Sequence, residues 1–387
     1  MPVKIDNVLA WGLDGIADNA VEQAERTSRL PFVDGHLALM PDAHWGMGST
    51  VGSVIPTHGA IIPSAIGVDI GCGMIAAQLP LTSASLPDDL KPLHRAIAKV
   101  VPAGVGQGHE RNLRLAMSTD LAYTDFSARQ DKKLHEQFGT LGSGNHFVEV
   151  CLDETDNVWV VLHSGSRGIG NELARIHIDG AKSLMKKYFI ELEDPDLAYL
   201  VQGTNEFDAY IRDMRWAQNY AMGNREAMMR AVLPAVADFV GMSEDARELQ
   251  SPTINSHHNY SAQEHHNGKN LWVTRKGAIK AGAGDLGIIP GSMGTETFIV
   301  RGLGNSSSYC SASHGAGRTM SRGKAKRELS TDSLREAMAG KVWNESDKLI
   351  DEHPDSYKSI RDVMAAQSDL VEIVHTLNQI LNFKGEK

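Results

Sequence analysis

The chain has 387 residues, 42% hydrophobic and 22% charged, which are the proportions of a folded globular protein and exclude a disordered chain. Its 38 basic and 48 acidic residues leave a formal net charge of −10, so any nucleic-acid contact has to come from a local patch rather than from the whole surface. No run of about 18 apolar residues marks a membrane span, no secretory signal opens the chain, and Cys72, Cys151 and Cys310 are too few for a disulfide framework, which points to a reducing, cytoplasmic setting.

In chain order, residues 16–29 have helical spacing. From His36 to Leu79 the sequence is Gly-rich and β-branched, the pattern of short strands and tight turns in a buried sheet. A helix is expected over 87–101, a turn over 104–108 and a polar helix over 110–138. Asn157-Val-Trp-Val-Val-Leu-His163 reads as a central strand. A long helical block follows over about 171–248, rich in Ala, Met, Arg and Glu. Strands return at 270–281 and 297–301, and helices are expected at 331–341 and 356–382. Strand-rich parts on both sides of a helical block predict one α+β unit over 1–387, with a mainly helical insertion at about 171–250 and helices at the C-terminal end.

Six strings carry chemistry. Val68-Asp-Ile-Gly-Cys-Gly-Met74 sets Asp69 and Cys72 three apart in a turn, so that a carboxylate and a thiolate can face one cation. Gly144-Asn-His-Phe-Val-Glu149 places His146 after a Gly-rich turn. His163 ends the central strand and is followed by a loop carrying Arg167, a common place for a ligand and for phosphate-facing N–H groups. In Asn255-Ser-His-His-Asn259 adjacent histidines point to opposite faces, so at most one of His257 and His258 serves a given site; His265 and His266 read as exposed. Pro290-Gly-Ser-Met-Gly294 is a tight turn able to wrap a phosphate or a base. Ser313-His-Gly-Ala-Gly-Arg318 puts His314 at a turn where an imidazole can act as nucleophile toward phosphorus. Arg318 to Arg327 then has five basic and no acidic residues, a local patch suited to RNA phosphates. The N, S and O donors together suit Zn²⁺ or Mn²⁺ better than Mg²⁺, and phosphoryl or nucleotidyl transfer is the chemistry they would serve.

Taken with Met40-Pro-Asp-Ala-His-Trp-Gly-Met-Gly48, these strings resemble the RtcB-type RNA ligases over essentially the whole chain, most closely the shorter bacterial form. The resemblance implies that family's α+β fold and a GTP- and Mn²⁺-dependent joining of RNA 2′,3′-cyclic phosphate or 3′-phosphate ends to 5′-hydroxyl ends, in tRNA splicing or in tRNA or rRNA repair. It implies two Mn²⁺ ions, one on Asp69, Cys72 and His146 and one on Cys72, His163 and His258. His314 would take GMP from GTP. Asn145, His146, Phe147, Val148, Glu149, His258, Asn259, Pro290, Gly291, Ser292, Met293, Thr297, Gly315, Ala316, Gly317 and Lys384 would surround the guanylate. Asp42, His44, Arg167, Arg318 and Arg322 are candidates for contacts to the RNA end or its phosphate. The expected partners are RNA and an activating or recruiting protein, with the enzyme itself a monomer. A metal-dependent RNA-end phosphohydrolase and a non-catalytic nucleotide or RNA sensor are the competing readings. A lysine-dependent ligase is disfavoured, because no Lys begins an x-x-Asp-Gly string.

Overall fold

The computed structural model describes residues 1–109, 128–242 and 253–386. Among these the chain is α+β, with two large sheets and helices packed outside them. The first sheet has six strands: β1 (Val3–Ile5), β2 (Val8–Ala10), β3 (Leu37–His44), β4 (Val51–Thr57), then β12 (Lys269–Lys276) and β11 (Asn259–His266), in that spatial order. The second runs β10 (Ile254–His257), β6 (Gly73–Thr82), β8 (Asn157–Ser164), β7 (Phe147–Leu152), β18 (Val371–Lys384), β15 (Thr297–Gly302) and β14 (Leu286–Pro290), with β17 (Val342–Trp343) also paired to β18. Two short pairs complete the set, β5 (Ala60–Ile61) with β9 (Leu200–Val201) and β13 (Ala278–Lys280) with β16 (Ser311–Ser313).

Strand β8 is central because Val158 to Leu162 is apolar on both faces and is buried between β6 and β7. The long helices are α4 (Arg167–Lys187) and α5 (Asn205–Phe239). Thr204 caps α5 by accepting a bond from the Phe207 N–H. Met228, Met229, Val232 and Val236 of α5 join Leu93, Ile97, Val148, Val160 and Leu162 in one core cluster. Burying such a side chain contributes about 1.5–3 kcal/mol. The other helices are α1 (Asp18–Ser28), α2 (Lys91–Val100), α3 (Ala128–Gln137), α6 (Arg322–Glu328), α7 (Thr331–Ala337) and α8 (Ile360–Ala366). Most of the polar helix expected over 110–138 lies outside the described residues, as does the end of the helical block. No helix among the described residues is long and apolar enough to cross a membrane.

The helix expected over 356–382 is a correction. Only Ile360–Ala366 is helical, and Val371–Lys384 is a 14-residue strand. Its first half pairs with β15 and its second half with β7, so tertiary pairing decides its conformation. A bulge leaves Ile380 without a partner on β7. In a regular strand residues 379 and 382 would face opposite ways. The extra residue resets the phase, so Gln379, Asn382 and Lys384 share one face while Leu381 and Phe383 enter the core cluster on the other.

The two sheets meet at His258, the single residue between β10 and β11. Strand ends from both sheets converge there.

Candidate active site

Two loops, the end of β8 and one sheet junction bring five ligand-type side chains together. Cys72 Sγ lies 3.2 Å from His163 Nε2 and 3.5 Å from His146 Nε2. His146 Nε2 lies 3.2 Å from Asp69 Oδ2, and His163 Nε2 lies 3.3 Å from His258 Nε2. Cys72 is thus the hinge between two sets of donors, Asp69 with His146 and His163 with His258. Close approach of the strands requires Gly73, where a Cβ would stand 2.1 Å from Ser256 O.

The outer atoms of these rings are fixed by backbone. His146 Nδ1 bonds Leu141 O at 2.9 Å and His163 Nδ1 bonds Asn145 O at 3.2 Å, so each Nδ1 carries the proton and each Nε2 presents a lone pair. Helix α5 braces the loops from behind. Asn224 accepts from Gly139 N and Thr140 N and donates to Gly165 O, while Arg225 donates to Gly71 O, Ser164 O and Asn255 Oδ1. His257 turns away from the cluster to Gly71 O at 2.8 Å.

Electrostatics match a cation site. Burial, then neighbouring imidazoles, pushes His163 and His258 well below the usual histidine range and keeps them neutral. Burial raises Asp69, but the hydrogen bond and charge of His146 outweigh it and hold the carboxylate at about 2. Burial and the Asp69 charge push the Cys72 thiol up, so a cation is needed to draw off its proton. Thiol, imidazole and carboxylate donors aimed at common points fit a divalent metal of the borderline-soft kind.

Beside this cluster lies a cavity of about 280 Å³. His314 lines it, with its ring centroid 4.9 Å from that of His258. Asp42 Oδ2 accepts from His314 Nδ1 at 2.7 Å and from the His314 backbone N–H at 3.2 Å. This fixes the proton on Nδ1 and leaves the Nε2 lone pair free. Gly317 makes room for Asp42: its φ is 73°, and a Cβ there would stand 2.0 Å from Asp42 O. His44 lines the same cavity, its Nδ1 bonded to Asp42 O, and burial pushes it down to about 4.

The far wall is built by β7, the 290–293 turn and β18. Phe147 and Glu149 face the cavity, together with Asn145 and Asn259. Burial raises Glu149 to about 8, against the pull of the Lys384 charge and a 2.7 Å bond from Asn382 Nδ2. Pro290 to Met293 line the cavity, pinned by Gln379 Nε2, which donates to Ser292 O and Thr295 O. Gly315, Ala316 and Gly317 close the side next to His314. Lys384 is buried in the wall with Nζ 3.3 Å from Asn145 O and 3.4 Å from Glu352 Oε2.

Several expected residues lie elsewhere. Strand alternation turns the Val148 side chain into the core, so that side chain does not face the cavity. Thr297 is one strand pair behind the 290–293 turn, buried with Oγ1 unbonded. Arg167 does not line this cavity. It bonds Thr140 Oγ1 at 3.1 Å and lines a separate cavity on the other side of Asp69. Nor is the basic run 318–327 an open positive strip. Arg322 pairs with Asp351 at 2.7 Å and also with Glu352, Arg318 with Glu352 at 3.7 Å, Lys326 with Asp351 at 3.5 Å and Lys324 with Glu328 at 3.8 Å. Arg318 and Arg322 still line the cavity, but their charge is largely met by the buried Asp351 and Glu352. Glu352 sits at about 2: burial raises it, and Lys384, Arg322 and Arg318 outweigh that.

Sequence reasoning missed Lys276, Glu352, Tyr357, Gln379 and Asn382. Lys276 lines the cavity and donates to Met47 O, Ser49 O and Ser64 O, and burial lowers it to about 7. Its signal was a lysine at the end of an apolar strand, next to Gly277.

A family model described as tRNA-splicing ligase RtcB matches residues 23–385. The chain is 46% identical over 384 residues to the RNA-splicing ligase RtcB of Escherichia coli K12, covering 95% of this chain and 94% of that protein. It is 29% identical to the tRNA-splicing ligase RtcB of Methanococcus maripaludis, with 93% and 89% covered, and 28% identical to the RNA-splicing ligase RtcB of Mycobacterium tuberculosis, with 94% and 100% covered.

Proposed function

Because the chain belongs to the RtcB family of RNA ligases, we propose that it seals RNA 2′,3′-cyclic phosphate or 3′-phosphate ends to 5′-hydroxyl ends through a GMP carried on His314. The enzyme is an RNA ligase and RNA is its substrate. GTP as nucleotide, Mn²⁺ as metal and a cytoplasmic location are parts of the proposal. The observation that carries it is the His314–Asp42 pair, whose free Nε2 stands in a nucleotide-sized cavity walled by the Cys72 cluster.

Two Mn²⁺ ions on Asp69, Cys72 and His146 and on Cys72, His163 and His258 would supply positive charge to phosphate oxygens. The protein's own groups do the rest. His314 Nε2 attacks the α-phosphorus, the N–P bond forms, the α–β P–O bond breaks and pyrophosphate leaves. Asp42 holds the Nδ1 proton and stabilises the positive charge that develops on the ring. Glu149, as a carboxylate, accepts from guanine N1–H and the N2 amino group, a donor pair adenine lacks. Guanine thereby supplies the partners that a buried carboxylate needs. A 2′,3′-cyclic end is first opened by water to the 3′-phosphate; that phosphate takes the GMP as the N–P bond to His314 breaks, and the 5′-hydroxyl then displaces GMP from the activated RNA end.

Incubation with α-labelled GTP and Mn²⁺ tests this reading. Acid-labile covalent label is expected with GTP and not with ATP. Absence of label, with RNA ends hydrolysed instead, would favour a phosphohydrolase.

Lys384 gives a second expectation. With Nζ beside both Asn145 O and Glu352 in the wall, it is placed to balance charge developing on the nucleotide. Lys384→Ala should slow GMP attachment about 100-fold, the typical cost of losing one oriented donor. Removing Glu386 and Lys387 should leave it nearly normal, since the Glu386 carboxyl bonds Lys348 at 3.2 Å, Ser346 and Asn344, and none of these three lines the cavity. Equal rates for the two variants in a labelling time course would remove Lys384 from the site.

A further inference from the structure

A second cavity of about 700 Å³ adjoins the first and shares His44, Arg318 and Arg322 with it. Its far side is formed by Asp14 to Ala17 and Asn19, and its remaining wall by Thr319 to Ser321 and Lys358. At its mouth, on the turn between β3 and β4, stands Trp45. The chain has six tryptophans. Five are at most 9% exposed, whereas Trp45 is 59% exposed, with Met47 beside it at 54%.

A solvent-facing indole costs hydration free energy that the fold avoids at every other tryptophan. Nothing in the packing of β3 calls for it: Ala43 is buried in the core on one side of the turn, and Trp45 projects away from it. The cavity it overlooks is lined by basic and hydroxyl side chains, and among its described lining residues Asp14 alone is acidic. It also shares the His44 wall with the His314 cavity. The smaller cavity has the size for one nucleotide, so RNA has to approach from outside it. A flat aromatic face beside a polar cleft is the device by which proteins hold single-stranded nucleic acid without reading its sequence, because every base has a face to stack.

We propose that this second cavity seats a nucleotide at the RNA end delivered to His314, and that Trp45 is the platform on which its base stacks. The inference rests on the RNA-ligase activity, not on the identity of the nucleotide cofactor. Both RNA ends carry bases, and the experiment separates them.

Full-length wild type, Trp45→Ala and Trp45→Phe are compared with two single-stranded oligoribonucleotides, one ending in a 3′-phosphate and one beginning with a 5′-hydroxyl and ending in a 3′-hydroxyl. Binding is read by fluorescence anisotropy of a dye at the far end, and GMP attachment by α-labelled GTP. Trp45→Ala is expected to weaken binding of one oligonucleotide, and raise its KM in ligation, by about 10- to 100-fold, the range of one lost base–aromatic stack. The oligonucleotide affected identifies the strand. Trp45→Phe, which keeps a stacking face, should recover binding to within about threefold of wild type. GMP attachment should be unchanged in both. Unaltered binding of both oligonucleotides in Trp45→Ala would overturn the proposal. So would a parallel fall in GMP attachment, or Trp45→Phe as weak as Trp45→Ala. Because binding is measured directly, a failure of the GTP reading would leave this result interpretable.

Discussion

Replacing His314 by alanine is expected to abolish covalent GMP attachment, with no label above background, while the metal content of the protein stays normal. Among the described residues lining the cavity, the imidazole is the only group whose lone pair is both free and fixed by a carboxylate behind it. Asp42→Asn should be nearly as severe, lowering attachment about 10³- to 10⁴-fold. An asparagine amide can donate to Nδ1, which drives the proton to Nε2 and blocks the attacking lone pair. Because Oδ2 takes both bonds, an amide nitrogen turned to Nδ1 loses the bond from the His314 backbone N–H, whereas an amide oxygen turned there keeps both bonds but not the negative charge. The ring is left either in the wrong tautomer or without the carboxylate that stabilises its developing positive charge. Label in His314→Ala, measured after acid-sensitive gel analysis, would overturn the nucleophile assignment, and wild-type labelling in Asp42→Asn would overturn the tautomer argument.

Cys72→Ser should lose bound Mn²⁺ and ligation together, by at least about 100-fold in metal affinity, since a neutral hydroxyl is a far poorer ligand than a thiolate. The sulfur touches both imidazoles at 3.2 and 3.5 Å, so its loss affects both donor sets at once. Cys151→Ala and Cys310→Ala should keep full metal content. Cys151 is buried 4.0 Å from Glu149 Oε2, and Cys310 is half-buried beside Tyr309, so neither reaches the cluster. Because burial holds Cys72 protonated, loading the metal should release a proton, and affinity should rise with pH. Elemental analysis of the three variants checks the first point, and unchanged Mn²⁺ in Cys72→Ser would refute the shared-sulfur arrangement.

Much of the site is legible in the sequence because its chemistry sits in glycine-flanked strings. Asp69, Cys72, His146, His163 and His314 each follow or enter a tight turn, and tight turns leave glycines that a reader can find. The residues that brace them leave no such mark. Asn224 and Arg225 are two polar positions inside a 35-residue helix, and only the tertiary fold carries them to the ligand loops. Glu352 is one acid among many until Lys384, Arg318 and Arg322 close on it. The last strand misleads for a physical reason. Apolar residues at 370, 371, 373, 374, 377, 380, 381 and 383 fall near helical spacing, and the bulge at Ile380 breaks the alternation that would have signalled a strand.

That strand also sets an order of events at the ribosome. Strands β7 and β15 are neighbours of β18 on either side, yet β18 is synthesised after both. Between emergence of Leu152 and of Lys384, synthesis at about 5–20 residues per second takes roughly 10–50 s. Throughout that interval the edge of β7 that β18 will cover has no partner within the second sheet, and such an edge is a template for pairing with other chains. Lys384, Asn382 and Gln379 arrive only with the final strand. A nascent chain stalled before residue 371 would therefore hold the ligand cluster and His314 without the wall that closes the nucleotide cavity, and the protein gains its complete cavity and loses its sticky edge in the same step.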